Sequence, residues 1–293
     1  MPILDAELIL NPDGSIYHLN LHPEQVAPTI ITVGDPERVE MVSQYFDRIE
    51  HKVRKREFVT HTGYIGTKRV TVISTGIGTD NIDIVFNELD ALFNIDLQQK
   101  IIQPVFTPLT FIRIGTSGCL RKDIPLDAFL VSTYAVGLDN LLHYYQLPQT
   151  VVSKQLQDKI QTSFKAASSI ALSPYVVAGS TPLIQGLGKD MYSGITLTVP
   201  GFYGPQGRQL RAPVRQTDLI EVFQKIDVSA ITPLVLTNLE METAGIYGLA
   251  RVLGHQAISF NALLANRETG AFSTQAGKTV KQLIETVLER ICE

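Results

Sequence analysis

Short runs of apolar and β-branched residues alternate along this chain with amphipathic segments, and glycine or proline separates most of them. In "TIITVGDPERVEMVSQYF" (residues 29–46) a buried strand precedes a turn at Gly34-Asp35-Pro36, and a helix follows. Residues 69–93 repeat this plan, with one apolar helix face formed by Ile82, Val85, Phe86 and Leu89. The alternation predicts an α/β fold.

The same pattern continues to the C-terminus. Strands are predicted at 111–118, 127–136, 174–178 and 256–266, and helices over 155–171, 237–254 and 275–291. The first of these strands, "FIRIGTSG", is predicted to end in a glycine-rich turn. No proline-rich or serine-rich linker divides the chain, so one domain over residues 1–293 is predicted, with 94–110 as an insertion.

Bulk properties exclude several classes of protein. The chain has 293 residues, a formal net charge of −4 and no basic stripe, so a nucleic-acid partner is not expected. No apolar segment is long enough to span a bilayer, and the start has no basic region typical of a secretion signal. Cys119 and Cys292 cannot build a disulfide framework. We therefore expect a cytoplasmic protein without a membrane partner.

Arginines accompany two of the glycine-containing turns. Arg38 lies in "GDPER" and Arg113 lies just before the turn predicted in "RIGTSG". Amides at such turns bind anions, and guanidinium groups add bidentate bonds to phosphate oxygens. Ordinary α/β turns are the alternative, because glycine turns are common in this fold class and neither usual nucleotide-binding signature is present.

Two further stretches carry polar groups in apolar surroundings. In "NLEMETAG", Glu240 and Glu242 flank Met241, which is costly unless the carboxylates are paired. They could mark a helix N-terminus capped by Thr237 or Asn238, or they could bind sugar hydroxyls while the methionine packs on the ring. In "LLANRETG", an apolar strand delivers polar residues to its carboxyl end, where α/β proteins bind ligands.

The loop "VPGFYGPQGRQLR" (residues 199–211) combines turn formers with aromatic, amide and guanidinium groups. By composition it could be a surface connection or a wall of a site.

Taken together, seven pieces indicate a family. They are "GDPERV", "KREF", "STGIG", "FIRIGTSG", "GFYGPQGR", "LEMET" and "NR". In order and approximate spacing the chain resembles the nucleoside phosphorylase superfamily, and most closely its uridine phosphorylase branch. The resemblance implies a three-layer α/β/α fold around a central mixed, twisted sheet. It also implies a homo-oligomer, with a dimer as the minimal active unit and a hexamer as the expected assembly.

The resemblance also implies roles for individual residues. Phosphate would be bound by Gly34, Arg38, Arg113 and Thr116, together with Arg56 from a neighbouring subunit. Ribose would be bound by Glu240, Met241 and Glu242, with His18 reaching the 5′-hydroxyl of the neighbour's substrate. The base would be bound by Phe202, Gln206 and Arg208, with Arg267 behind them. Arg113, Glu242, Gln206 and Arg208 are the expected catalytic residues.

The expected reaction is the reversible conversion of uridine and phosphate into uracil and ribose 1-phosphate. Phosphate is a co-substrate, and neither a redox cofactor nor a transition metal is expected. A monovalent cation such as K⁺ binds between subunits in the family, near the positions of Glu57, Ile77 and Asn81. Asn81 replaces the small hydroxyl residue of that pattern.

Alternative functions stay open on the sequence alone. The chain could be a phosphorylase or nucleosidase of the same superfamily acting on a purine nucleoside or thymidine, or a non-catalytic nucleoside-binding protein. Purine-cleaving relatives carry an aspartate where this chain has Asn266 and Arg267, which favours a pyrimidine. The phosphate arginines favour phosphorolysis over hydrolysis or storage.

Overall fold

The computed structural model describes residues 2–293. Its strands are β1 (Thr29–Val33), β2 (Arg48–Lys55), β3 (Phe58–Ile65), β4 (Lys68–Ser74), β5 (Ile95–Asp96), β6 (Ile101–Ile102), β7 (Thr110–Cys119), β8 (Phe129–Gly137), β9 (Tyr175–Ala178), β10 (Tyr192–Thr198), β11 (Leu236–Glu240) and β12 (Gln256–Asn266). Its α-helices are α1 (Pro36–Ser43), α2 (Thr79–Asn94), α3 (Val151–Ala167), α4 (Thr181–Leu187), α5 (Leu219–Gln224), α6 (Thr243–Leu253) and α7 (Ala276–Cys292). No helix in this range is long and apolar enough to cross a membrane.

One mixed sheet forms the centre of the molecule. Its strand order is β11-β10-β8-β12-β7-β1-β4-β3-β2, with β9 beside β8. Strand β11 also pairs antiparallel with β7, where Leu239 lies opposite Gly118. Strands β7, β12, β8, β10 and β11 therefore close on themselves, and we call these five the strand ring.

Helices cover both faces of the sheet. Phe111 and Ile112, neighbours in β7, are buried in different hydrophobic clusters because successive strand side chains point to opposite faces. The Phe111 cluster contains the apolar sides of α2 and α6, and the Ile112 cluster contains those of α1 and α7. This confirms the predicted α/β/α arrangement around a mixed sheet.

The turn predicted at the end of "FIRIGTSG" is wrong. Strand β7 continues through both glycines to Cys119, because β12 pairs with it along its whole length and β11 pairs with its last residues. Gly115 leaves room for a neighbouring side chain, because a Cβ on Gly115 would lie 2.1 Å from Arg113 Nη1. Arg113 and Thr116 consequently project from a rigid strand.

The helix predicted over 237–254 is wrong in its first part. Residues Leu236–Glu240 form the buried strand β11 between β10 and β7, and the helix begins at Thr243. The carboxylate of Glu240 accepts hydrogen bonds from the amides of Glu242 and Thr243 and so caps α6. Capping by Thr237 or Asn238 is therefore wrong as well.

The other differences concern boundaries and the predicted insertion. Helix α3 begins at Val151 instead of 155, because the Thr150 hydroxyl accepts a bond from the Ser153 amide at 3.1 Å. In segment 94–110, strands β5 and β6 pair, and Asn94 joins the segment to α2 through the Thr107 amide at 2.7 Å. Strands β2, β3 and β10 are not predicted from the sequence.

Candidate active site

A cavity of about 700 Å³ opens at the carboxyl ends of the parallel strands β1, β4, β10 and β11. This is the edge where open α/β sheets bind ligands. Most residues predicted from the sequence line it: Gly34, Arg38, Glu57, Ile77, Asn81, Arg113, Thr116, Phe202, Gln206, Arg208, Glu240, Met241 and Glu242. The fold thus brings together groups that lie more than 200 positions apart in the chain.

The turn after β1 forms one wall. Asp35 caps α1 by accepting a bond from the Glu37 amide at 2.9 Å, and Pro36 opens the helix. Arg38 therefore lies in the first helical turn, where its Nη1 donates to the carbonyl of Ile114. Burial, and next the nearby Arg113 guanidinium, lower the pKa of Arg38. Two guanidinium groups close enough to repel each other are suited to a multiply charged anion.

Arg113 is buried at the centre of the site. Its Nη2 donates to Glu242 Oε2 at 2.7 Å and to Glu240 Oε2 at 2.9 Å. Its Nη1 donates to Asn261 Oδ1 at 3.1 Å. Burial alone would lower the pKa of Arg113, but the two carboxylates outweigh that effect and raise it. The guanidinium is therefore charged and fixed from two sides.

The two glutamates differ in their free acceptor capacity. Besides the amides of Glu242 and Thr243 and the Arg113 guanidinium, Glu240 accepts from the Thr198 hydroxyl at 2.6 Å, so its lone pairs are occupied. Among residues 2–293, Glu242 accepts only from the Gly78 amide and Arg113, and it keeps acceptor sites open to the cavity. Burial raises the pKa of Glu242, and the Arg113 charge opposes that rise. Glu242 is thus the carboxylate available to a ligand.

The loop after β10 forms the opposite wall. Arg208 donates to Gln206 Oε1 and to the carbonyl of Phe202 at 2.8 Å, and its guanidinium lies 3.9 Å from the centre of the Phe202 ring. Burial and the neighbouring Arg267 lower the pKa of Arg208 to about 10. Gly207 has a φ of 65°, and this left-handed conformation turns the chain between Gln206 and Arg208. Gln206, though in a loop, is buried.

The end of β12 supports this wall from behind. Arg267 packs beside Gly118, and its Nη1 is buried without a hydrogen-bond partner among residues 2–293. Burial lowers the pKa of Arg267. Asn266 is committed elsewhere, because it accepts from the amides of Glu268 and Thr269 and donates to the carbonyl of Arg121.

Comparison with known proteins identifies the family. The family model "Phosphorylase superfamily" matches residues 28–289. The chain belongs to the phosphorylase superfamily. It is 28% identical over 288 residues to the uridine phosphorylase of Thermococcus kodakarensis, covering 98% of this chain and 90% of that protein. It is 27% identical to the uridine phosphorylase of Haemophilus influenzae, covering 93% and 94% of the two chains.

A solved structure has the same fold. The Trypanosoma brucei nucleoside phosphorylase, whose structure is described as showing uridine phosphorylase activity, aligns with a TM-score of 0.87 and 29% identity. The alignment covers 97% of this chain and 99% of that chain. The superfamily fold therefore extends over nearly the whole protein.

Besides Arg267, which lies behind the wall, two residues that the superfamily resemblance selected do not line the cavity. His18 is fixed by Glu88, which accepts from His18 Nδ1 at 2.6 Å and from the amides of His18 and Leu19. Arg56 lies on the turn between β2 and β3, with its guanidinium 5.9 Å from the Tyr17 ring. Tyr17 also contacts His18 edge-on, so one surface carries both.

Sequence reasoning missed several residues of the site. Ser117, Leu264 and Phe272 line the cavity, and Asn261 accepts a hydrogen bond from the Arg113 guanidinium. Asn261 was detectable, because it interrupts the apolar run of β12 and a buried amide needs partners. Ser117 carried no such signal, since a serine beside glycine is ordinary in a turn.

Proposed function

We propose that this protein is a uridine phosphorylase, which converts uridine and phosphate into uracil and ribose 1-phosphate. One observation carries the proposal: a single cavity has Arg38 and Arg113 on one wall and the Gln206–Arg208 pair with Phe202 on another. Such a cavity can hold an anion and a planar polar base at the same time. The names of the relatives in Thermococcus kodakarensis and Haemophilus influenzae support the same activity.

The residues present supply the chemistry by position and charge. Phosphate bound by Arg38, Arg113, Thr116 and the Gly34 amide would attack C1′ of the ribose. The Glu242 carboxylate would accept the sugar hydroxyls, with Met241 against the ring. As the glycosidic bond breaks, positive charge grows on the sugar and negative charge on the base. The buried Glu242 carboxylate would stabilise the charge on the sugar, and the half-buried guanidinium groups of Arg208 and Arg267 would stabilise the charge on the base.

Pyrimidine recognition rests on the loop after β10. Gln206 Oε1 already accepts from Arg208, but an amide oxygen has a second lone pair for the N3 proton of uracil. The Gln206 NH₂ and the two arginines would donate to the carbonyl oxygens. No aspartate takes the place of Asn266, whose amide is committed to its own turn. These features support a pyrimidine over a purine.

We further propose that the active unit is at least a dimer, in a hexameric assembly located in the cytoplasm. His18 and Arg56 lie on one outer surface around Tyr17, from which they would enter a neighbour's cavity. Phosphate is the only co-substrate in this proposal. Glu57, Ile77 and Asn81 lie on the cavity wall, and in this proposal their oxygens would hold a monovalent cation such as K⁺, which would supply a structural charge between subunits.

The function is tested by product analysis. We expect uracil release from uridine only when inorganic phosphate is present, with ribose 1-phosphate as the second product. Chromatography of the bases and sugar phosphates measures both. Uracil release in phosphate-free buffer would indicate a hydrolase, and faster release of base from inosine would indicate a purine enzyme.

The shared site is tested by mixing subunits. Arg113→Ala and Arg56→Ala should each be inactive alone. Coexpressed in equal amounts they should recover about a quarter of the wild-type rate, because half the dimers are mixed and each mixed dimer has one intact site. Arg113→Ala mixed with Arg38→Ala is the control without recovery, since both residues serve their own subunit's site. No recovery in the first mixture would contradict site sharing through Arg56.

A further inference from the structure

A second cavity borders the loop after β10. It lies between this loop, helix α5 and residues 170–172, and we call it the rear cavity. Its volume is about 590 Å³, which is in the size range of sites for small organic molecules. Within residues 2–293, Arg208 is the only residue that lines both the rear cavity and the active-site cavity. The loop that carries the Gln206–Arg208 pair therefore forms a wall of two cavities.

Apolar side chains form most of the rear cavity. Val199, Leu219 and Phe223 line it and belong to one buried hydrophobic cluster. Leu210, on the loop, also lines it and is 72% exposed. Apolar surface in a concave site is in contact with water until a ligand covers it, and release of that water favours binding. The rear cavity is thus suited to a ligand with an apolar body.

The charged groups of the rear cavity are all positive. They are the guanidinium groups of Arg208 and Arg215, and neither forms an ion pair within residues 2–293. No aspartate or glutamate of the described chain lines this cavity. The amide of Gln216 is already bonded, because it accepts from the Ser168 hydroxyl at 2.6 Å and donates to the carbonyl of Ala167. An anionic group on the ligand would therefore complement the rear cavity.

Arg208 connects the rear cavity to the active site. Its two hydrogen bonds within residues 2–293, to the carbonyl of Phe202 and to Gln206 Oε1, both use Nη1. The Nη2 and Nε groups keep donors for a second ligand. Burial and the Arg267 guanidinium lower the pKa of Arg208, because no carboxylate nearby compensates its charge. A carboxylate in the rear cavity would provide that counter-charge.

We propose that the rear cavity binds an apolar monocarboxylate, that its carboxylate pairs with Arg208 and Arg215, and that its binding weakens the binding of uridine. The carboxylate would draw the Arg208 guanidinium away from Gln206 and Phe202. The effect on uridine rests on the proposed function, in which Arg208 contacts the base, whereas binding of the carboxylate does not. Coupling between two sites is reciprocal, so uridine would weaken carboxylate binding by the same factor.

Octanoate is the probe, because it joins one carboxylate to an alkyl chain. Calorimetry in saturating phosphate, which keeps Arg38 and Arg113 occupied, should detect octanoate binding. Octanol has no charge and should bind about tenfold more weakly, because charge-assisted hydrogen bonds are lost. Acetate has no apolar chain and should not bind measurably. Equal binding of octanoate and octanol would refute the role of the arginines.

Substitutions in the loop locate the binding site. Arg215→Gln should weaken octanoate binding about threefold, because an exposed ion pair contributes little. Arg211→Gln is the matched control, since Arg211 is an exposed arginine of the same loop that does not line the rear cavity. Equal affinities of these two variants would exclude Arg215 from the site.

A second substitution fills the rear cavity. Ala212→Trp should abolish octanoate binding and leave kcat/KM for uridine unchanged, since Ala212 lines the rear cavity and not the active site. The chain has no other tryptophan, so the emission of this residue also reports whether the variant is folded. Octanoate binding of wild-type strength to Ala212→Trp would place the ligand elsewhere and overturn the proposal.

Steady-state kinetics measure the coupling between the two cavities. Saturating octanoate should raise the KM for uridine about fivefold and leave the KM for phosphate unchanged, and Ala212→Trp should lose this effect. A rise in the KM for phosphate alone would indicate octanoate at Arg38 and Arg113, and an unchanged KM for uridine would refute the coupling. Calorimetry needs no turnover. Failure to release uracil therefore refutes the proposed function, whereas absence of octanoate binding refutes the rear cavity as a carboxylate site.

Discussion

Replacing Gly115 by alanine should lower kcat/KM for uridine about 100-fold while the protein stays folded, because misplacing a catalytic group by roughly 1 Å has costs of that order. Gly115 lies in the middle of β7, where its backbone conformation suits any residue. A Cβ there would be 2.1 Å from Arg113 Nη1 and 2.4 Å from its Cζ. The guanidinium must therefore leave the position in which Asn261, Glu240 and Glu242 fix it.

The arginine can move because it is the end of a flexible side chain, which is why activity should fall more than stability. Steady-state kinetics and thermal unfolding of the same preparations measure the two effects. Gly186→Ala is the matched control, since Gly186 lies in α4 with no atom within 4 Å of its added Cβ. Full activity of Gly115→Ala would show that the observed position of Arg113 is not needed for catalysis.

The role of Gly115 marks the limit of what the sequence could predict. Alternating strands and helices predicted the α/β/α layers, because hydrophobic periodicity is local. The pairing of β7 with β12 and β11 joins residues more than 100 positions apart and left no local signal. These pairings keep "GTSG" in a strand, although glycine and serine favour turns in isolation.

Contacts between residues far apart in the sequence also determine how Glu240 and Glu242 differ. Acids before a helix are ordinary, so the residue pattern alone did not distinguish Glu240 from Glu242, and only the family resemblance selected Glu242 as catalytic. The difference arises from Thr198, Gly78 and Arg113, which belong to other elements and meet the pair only in the folded chain. Most residues of the site were predictable through the family resemblance. Which groups occupy each glutamate, and which glutamate keeps free acceptor sites, followed only from the three-dimensional contacts.

Glu242→Gln should lower both the kcat for uridine and the KM for phosphate, for different reasons. We expect kcat for uridine to fall about 100- to 1000-fold, because a charged group aimed at the developing positive sugar is lost. The KM for phosphate should fall at the same time. The carboxylate that occupies Arg113 Nη2 becomes a neutral amide, and a negative charge that repels the anion is removed.

Glu240→Gln removes the same charge from the other side of Arg113 and is the matched comparison. Its carboxylate is occupied by the Thr198 hydroxyl and by the amides of Glu242 and Thr243, so it has no lone pair for ribose. We expect tighter phosphate binding here too, with a smaller loss of kcat and a lower thermal stability, because a helix cap contributes about 1 kcal/mol. Equal losses of kcat in the two variants would refute the assignment of ribose binding to Glu242, since charge alone would then explain both.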